Sequence, residues 1–179
     1  MRIMMWLAWL LTAVPFVSAV AAPPSGAPSE AAGTFYAAYL KLPRGGVPNA
    51  EQRRSLQAVL SPALERLLAA ADAAEARHAK RTRNEVPPLV EGDLFTSLFE
   101  GATRATVVTC SHEAKAAICV VALSYKDGRS ETAWQDRVHL VPGGGRWVVD
   151  DIEYAGGWDF ARRGRLSETL KAVIREADR

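Results

Sequence analysis

Apolar residues recur at helical spacing through the first half of the chain. Residues 30–42 are predicted to form a first helix, because four large apolar side chains make one stripe along it, namely Phe35, Tyr36, Tyr39 and Leu40. A second helical stripe runs from Asn49 to about residue 78. Ser61 and Pro62 either interrupt or restart it, since serine is a good cap and proline is accepted at the first helical position.

Beyond a Pro-Pro break, a short helix is predicted with Asp93 as its cap and Gly101 after its end. From Thr103 the apolar period changes to two, which predicts four strands at 103–111, 116–125, 130–141 and 146–154. The Asp127-Gly128 pair between alternating runs indicates a hairpin and hence an antiparallel meander. A last helix is predicted over 166–177. The pattern therefore predicts an α+β domain, with N-terminal helices packed on a curled four-stranded antiparallel sheet and a C-terminal helix.

The strand register brings the two cysteines of the chain together. A first hairpin centred between Ala114 and Lys115 places Cys110 opposite Cys119, at a separation that a disulfide accepts. An isolated cysteine pair of this spacing in an exported protein is most simply a disulfide.

The other two hairpins bring two aspartates together. Centring the second hairpin on 127–128 and the third on 143–144 places Asp136 opposite both Cys119 and Asp151. Facing carboxylates raise the pKa of one partner, which is how general acid/base pairs arise. The predicted pocket on the concave sheet face would also use Trp134, Tyr36 and Tyr39. The alternatives are a β-bulge that shifts the register, a solvated edge for the carboxylates, and a core position for the tyrosine stripe.

The N-terminus has the three parts of a cleaved signal peptide. Arg2 gives a positive start, residues 3–17 are almost wholly apolar but too short to span a membrane, and residues 19–21 form a small-x-small cleavage site. Residues 1–21 are thus predicted to be removed on export, so the protein is expected to be periplasmic or secreted. Residues 22–29 read as a flexible Pro/Ser/Gly tether before a single domain at 30–179.

Charge and motifs exclude several classes of function. Removing Arg2 from the 22 basic side chains leaves 21 against 20 acidic ones, a net charge of +1. That value does not predict nucleic acid or an anionic membrane as the main partner, and no later segment predicts a membrane anchor. The chain has no nucleophile elbow, zinc-protease motif or phosphate loop, so no cofactor, metal site or catalytic residue is predicted.

A loop near the C-terminus combines aromatic and basic side chains. Trp158, Phe160, Arg162 and Arg163 follow two glycines. They could grip a partner surface, since Trp and Arg favour interface anchors. Alternatively, the two aromatic rings plug the gap between the sheet and the last helix while the arginines are solvated.

Three short segments resemble a known family. They are Phe35-Tyr36-Ala37-Ala38-Tyr39-Leu40, Leu60-Ser61-Pro62-Ala63-Leu64 and Trp147-Val148-Val149-Asp150-Asp151-Ile152-Glu153-Tyr154. With the order of elements, they resemble the nuclear-transport-factor-2-like (cystatin-like) fold and, within it, an exported bacterial family known as a domain of unknown function. The resemblance implies a fold and an exported context but no activity. The interpretation favoured here is a non-enzymatic binding or inhibitory module of the immunity type, with another periplasmic protein as partner. The alternative is a small-ligand or acid/base pocket at Asp136 and Asp151.

Overall fold

The computed structural model describes residues 24–177 and 179. The predicted signal peptide, residues 1–21, lies outside this part of the chain. None of the helices within it is both long and apolar enough to cross a membrane.

The described residues form four helices. They are α1 (Pro28–Tyr39), α2 (Ala50–Leu56), α3 (Pro62–Thr82) and α4 (Leu166–Glu176). A capping box joins Asn49 and Gln52 at the start of α2. The Ser61 hydroxyl accepts a hydrogen bond from the Leu64 amide, and Pro62 takes the first helical position. The second predicted helical segment therefore consists of two helices, α2 and α3, and Ser61 and Pro62 begin the second of them.

The second half of the chain forms one antiparallel meander. Its strands are β1 (Arg104–His112), β2 (Ala117–Asp127), β3 (Ser130–Gly143) and β4 (Arg146–Glu153), in the spatial order β1-β2-β3-β4. Helix α1 packs across the inner face of the sheet, while α3 and α4 pack against each other and both contact β4. The predicted α+β arrangement is confirmed.

The disulfide is also confirmed at the predicted pair. Cys110 lies directly opposite Cys119, the two are bonded, and their Cα atoms are 4.1 Å apart. A β-bulge at Val108 shifts the register further along β1.

The predicted register of the second hairpin is wrong by two residues. Asp127 pairs with Ser130, so Cys119 faces Val138 and Asp136 faces Val121. Gly128 takes the first of the two loop positions with φ +57°, where a side chain would be strained. Because the shift is even, every side chain stays on its predicted face.

The third hairpin corrects the predicted carboxylate pair. Its turn lies at Gly144-Gly145, and a β-bulge then places Asp151 opposite His139 rather than Asp136. An odd shift moves a side chain to the other face, so Asp151 lies on the outer face while Asp136 lies on the inner one. The bulge falls at Asp150, whose carboxylate accepts a hydrogen bond of 2.5 Å from the Ser61 hydroxyl.

Two local predictions fail for reasons of hydrogen bonding. Residues 93–101 form no helix, because the Asp93 carboxylate accepts from the Phe95 amide and the Asp93 amide donates to the Phe99 carbonyl. Residues 25–29 are no free tether either. The amide and hydroxyl of Ser25 both donate to the carbonyl of Gly145, and α1 already begins at residue 28.

Candidate functional site

Two loops meet at the end of the sheet that carries the β2–β3 turn. The first, residues 93–97, is here called the buried loop, because every residue in it is buried although none is helical or in a strand. The second, residues 156–163, is called the aromatic loop. Buried irregular backbone must find hydrogen-bond partners outside regular structure, so the side chains around the buried loop determine whether it can form.

Asp136 bonds the buried loop at Ser97 and the chain at Ala155, just before the aromatic loop. Its carboxylate is completely buried and accepts hydrogen bonds from the Ser97 amide (2.8 Å), the Ser97 hydroxyl, the Trp134 indole Nε1–H (3.0 Å) and the Ala155 amide (2.9 Å). Four donors around one buried carboxylate compensate for its desolvation. Asp136 is therefore a structural anchor, with no lone pair turned towards an open pocket.

Three tyrosine hydroxyls form hydrogen bonds with the buried loop. Tyr36, Tyr39 and Tyr154 lie in the core, and burial raises the pKa of each hydroxyl above its usual value. The Tyr36 hydroxyl donates to the Phe95 carbonyl at 3.4 Å and the Tyr154 hydroxyl to the Leu94 carbonyl at 2.7 Å. The hydroxyl groups of the tyrosine stripe thus bond the buried loop.

Asp93 is the less well compensated of the two inner carboxylates. It accepts from the Phe95 amide at 2.8 Å and from the Tyr39 hydroxyl at 3.0 Å. Burial raises the pKa of Asp93 to about 6, although both of these donors pull it down. The carboxylate therefore titrates within the range that cells and their surroundings reach.

Asp151 has a different role from Asp136. Its carboxylate accepts from the Ser167 amide at 3.0 Å and the Ser167 hydroxyl at 2.8 Å, in the first turn of α4. An anionic group at this position satisfies free backbone donors and complements the helix dipole. The predicted acid/base pair does not exist, because its two members anchor different elements on opposite faces of the sheet.

The cavities lined by residues 24–177 that are described next lie away from Asp136 and Asp151. A cavity of about 130 Å³ lies between α1 and β1, lined by residues that include Tyr36, Leu40 and Val121, and it contains neither aspartate. A wide cleft of about 890 Å³ lies between α3 and residues 84–91. Of the polar groups that line it, Glu75 accepts from two backbone amides and His78 bonds the Pro87 carbonyl.

The aromatic loop is held by its own side chains and by the buried loop. The Arg163 guanidinium donates to the carbonyls of Gly156 (2.8 Å) and Trp158 (2.9 Å). Ser97 receives two further bonds, from the Gly156 amide to its hydroxyl and from the Arg162 amide to its carbonyl, both at 3.0 Å. The loop conformation is therefore fixed before any partner arrives.

Of the two aromatic side chains of this loop, one is packed and the other is exposed. The plug interpretation places both rings between the sheet and the last helix. Trp158 does pack against the sheet, edge-on to Trp134 with ring centroids 5.8 Å apart. Phe160 is 96% exposed, so for this residue that interpretation is wrong. Phe99, which follows the buried loop, is 60% exposed. Among the large apolar side chains of residues 24–177 and 179, Phe160 has the highest exposed fraction.

Sequence reasoning missed Ser97 and assigned Asp93 only to a helix cap. Ser97 lay inside a predicted helix, where a serine carries no functional signal. A usable signal did exist at Asp136, because a charged residue between the inner-facing Trp134 and Val138 must be bonded to something buried.

Comparisons with known proteins add little to this geometry. No family model and no curated protein matches the chain. Among solved structures, it is similar to the solution structure of a SEC-C motif containing protein from Rhodopseudomonas palustris, at 14% identity and a TM-score of 0.37. That match covers 68% of this chain and 73% of the other one.

Proposed function

We propose that the protein is an exported, non-enzymatic binding module that docks a partner protein through the aromatic loop, with Phe160 as the anchor. The observation that carries the proposal is the 96% exposure of Phe160 on a loop fixed by Arg163 and Ser97. A preordered loop loses little conformational entropy on binding, and a buried aromatic anchor supplies much of the affinity of many interfaces.

The charge around Phe160 indicates what kind of partner surface fits. The Arg163 guanidinium bonds only neutral carbonyls, and the Arg162 guanidinium lies over the Tyr154 ring, 5.6 Å from its centroid. Neither makes a salt bridge with any carboxylate of residues 24–177 or 179. We therefore expect an apolar socket with an acidic rim, because complementary charge speeds association and fixes orientation.

The proposal also includes export to an oxidising compartment and a fold class. The disulfide between Cys110 and Cys119 supports an oxidising compartment, which the predicted signal peptide would reach. An immunity-type protein that blocks a periplasmic toxin or cell-wall hydrolase is one concrete form of such a module. Helices on one face of a meander support the proposed nuclear-transport-factor-2-like class.

A photo-crosslinking amino acid at position 160 tests this function in cells that export the full chain. The matched control carries the same amino acid at Val108, which is 56% exposed on β1, remote from the aromatic loop. We expect one discrete protein adduct from position 160 and none from position 108. Purified wild-type protein should compete the adduct away, whereas Phe160→Ala protein should not. Equal adducts from both positions, no adduct from position 160, or equal competition by the two proteins would each contradict the proposal.

A further inference from the structure

Asp93 is linked, through its own hydrogen bonds and those of Ser97, to both the buried loop and the aromatic loop. Its carboxylate holds Phe95 in the buried loop, and its own amide bonds the Phe99 carbonyl on the far side of that loop. Two residues beyond Phe95, Ser97 bonds both the Gly156 and the Arg162 amides of the aromatic loop. The Asp93–Phe95 hydrogen bond, the short chain from Phe95 to Ser97 and the two hydrogen bonds of Ser97 therefore join Asp93 to the segment that carries Phe160.

The surroundings of Asp93 are closely packed. Gly101 has φ +79°, and a Cβ there would lie 2.7 Å from the Tyr39 hydroxyl oxygen and 3.0 Å from the Asp93 carboxylate. Only glycine allows the chain to close over this pair. Asp93 is only 2% exposed, so movement of residues 93–101 away from α1 would hydrate its carboxylate.

The titratable groups around Asp93 are few. Tyr39 donates to it from α1, Tyr36 on α1 and Tyr154 after β4 interact with its charge, and Arg162 of the aromatic loop attracts it. The tyrosines stay neutral near pH 7, because burial raises the pKa of each of them. Arg162 stays charged. Asp93 is thus the group in this cluster that changes charge between pH 4 and pH 8.

We propose that the protonation state of Asp93 controls the opening of the buried loop and, through Ser97, the order of the aromatic loop. In the closed loop the carboxylate is buried and favours its proton, whereas in the open loop it is hydrated and ionises readily. Opening is therefore suppressed in mildly acidic surroundings and promoted at neutral pH. The pH control of partner binding rests on the proposed function above; the opening itself does not.

The size of the pH effect on loop opening follows from the difference between the pKa of Asp93 in the closed loop and in the open loop. The pKa of Asp93 is about 6 in the closed loop, against an ordinary value of 3.8. Between pH 5 and pH 7.5 the opening equilibrium constant should then rise about tenfold. Global unfolding also hydrates Asp93, so loop opening is distinguished from it by a lower free energy of opening than that of the sheet.

Amide hydrogen exchange followed by NMR tests the proposal on the purified protein. The amides of Phe95, Ser97 and Arg162 are compared with that of Val121 in β2 at pH 5 and pH 7.5, after correction for intrinsic exchange rates. We expect about a tenfold rise in the opening constant at the first three amides, and at both pH values an opening constant well above that of Val121, which reports global unfolding. A flat profile, loop opening constants no larger than that of Val121, or a response at Phe95 without one at Arg162 would overturn it.

Substitutions assign the effect to one carboxyl. Asp93→Asn should remove the pH dependence, whereas Asp72→Asn, which alters a carboxylate that bonds Arg53 elsewhere, should leave it intact. Should Asp93→Asn fail to fold, Tyr39→Phe serves instead. It removes a donor that lowers the pKa of Asp93, so the rise in opening should move to higher pH. An unchanged profile in Tyr39→Phe would contradict the proposal. The outcome does not depend on the crosslinking at position 160, so the two proposals fail separately.

Discussion

The β1–β2 hairpin and the two loops at the opposite end of the sheet are stabilised in different ways. In the hairpin, Cys119, Val121 and Leu123 alternate inward into an apolar core, and the disulfide joins two directly opposed residues. In the loops, Asp136 and Asp93 bond backbone groups that have no partner in a helix or strand. Apolar burial is spread over many residues, whereas the buried polar contacts depend on very few. Single substitutions should therefore affect the two regions very unequally.

The largest effect is expected from Asp136→Asn. The amide group keeps one oxygen but turns a donor towards the donors of Ser97, Trp134 or Ala155, which leaves buried polar groups unpaired. We expect a loss of about 3–5 kcal/mol in the free energy of unfolding, measured by urea denaturation. Asp127→Asn in the exposed β2–β3 turn is the matched control and should cost less than about 0.5 kcal/mol. If Asp136→Asn were as stable as the wild type, Asp136 would not be the anchor described here.

Asp93 should produce a pH-dependent effect of comparable size. Its folded pKa of about 6 lies above the ordinary 3.8, so its contribution to stability is fully present below pH 4 and is lost as the pH rises through 6. The difference corresponds to about 3 kcal/mol. Urea denaturation from pH 4 to pH 7 should show the wild type losing stability relative to Asp93→Asn. A difference in the free energy of unfolding between the two proteins that stays constant over this range would show that burial does not raise the pKa of Asp93.

Removal of the disulfide should weaken the hairpin region by a smaller amount. The double variant Cys110→Ala/Cys119→Ala opens a loop of about ten residues, which costs about 2.5–3 kcal/mol in the chain-entropy model. Denaturation with and without reductant checks this, because reductant should destabilise the wild type but leave the variant unchanged. A variant as stable as the oxidised wild type would mean that the apolar core alone fixes this hairpin.

Phe160→Ala is expected to have the smallest effect on stability. The side chain is almost fully exposed, so its loss should change the free energy of unfolding by less than about 0.5 kcal/mol. Phe95→Ala, in the buried loop, is the matched control and should cost about 3–5 kcal/mol. Thermal denaturation of the two variants separates these cases. A large loss in Phe160→Ala would show that this ring is packed and not available to a partner.

The regular part of the fold could be predicted because side-chain alternation and capping residues act locally. Ser61-Pro62 marks a helix start, and the spacing of Cys110 and Cys119 determines one hairpin register. The third register was not predictable in this way. Its β-bulge at Asp150 accompanies the bond to Ser61, a contact between residues far apart in sequence.

The candidate site was predicted only in part, for a related reason. The aromatic loop was recognisable from Trp158, Phe160 and the arginines, but which ring would be exposed depended on the packing of Trp134. The buried loop carried a helix-like apolar pattern, and only the tertiary bonds of Ser97 and Asp93 show why it is irregular. Buried polar networks are long-range structures, so periodicity does not reveal them.

A double-mutant cycle on the free energy of unfolding tests the central claim most directly. Asp136→Asn is combined with Ser97→Ala in one cycle and with Asp151→Asn in the other. The structure predicts a coupling of about 1–3 kcal/mol between Asp136 and Ser97, and a coupling within about 0.5 kcal/mol of zero between Asp136 and Asp151. A strong coupling between the two aspartates, with none to Ser97, would contradict this account and favour a facing carboxylate pair.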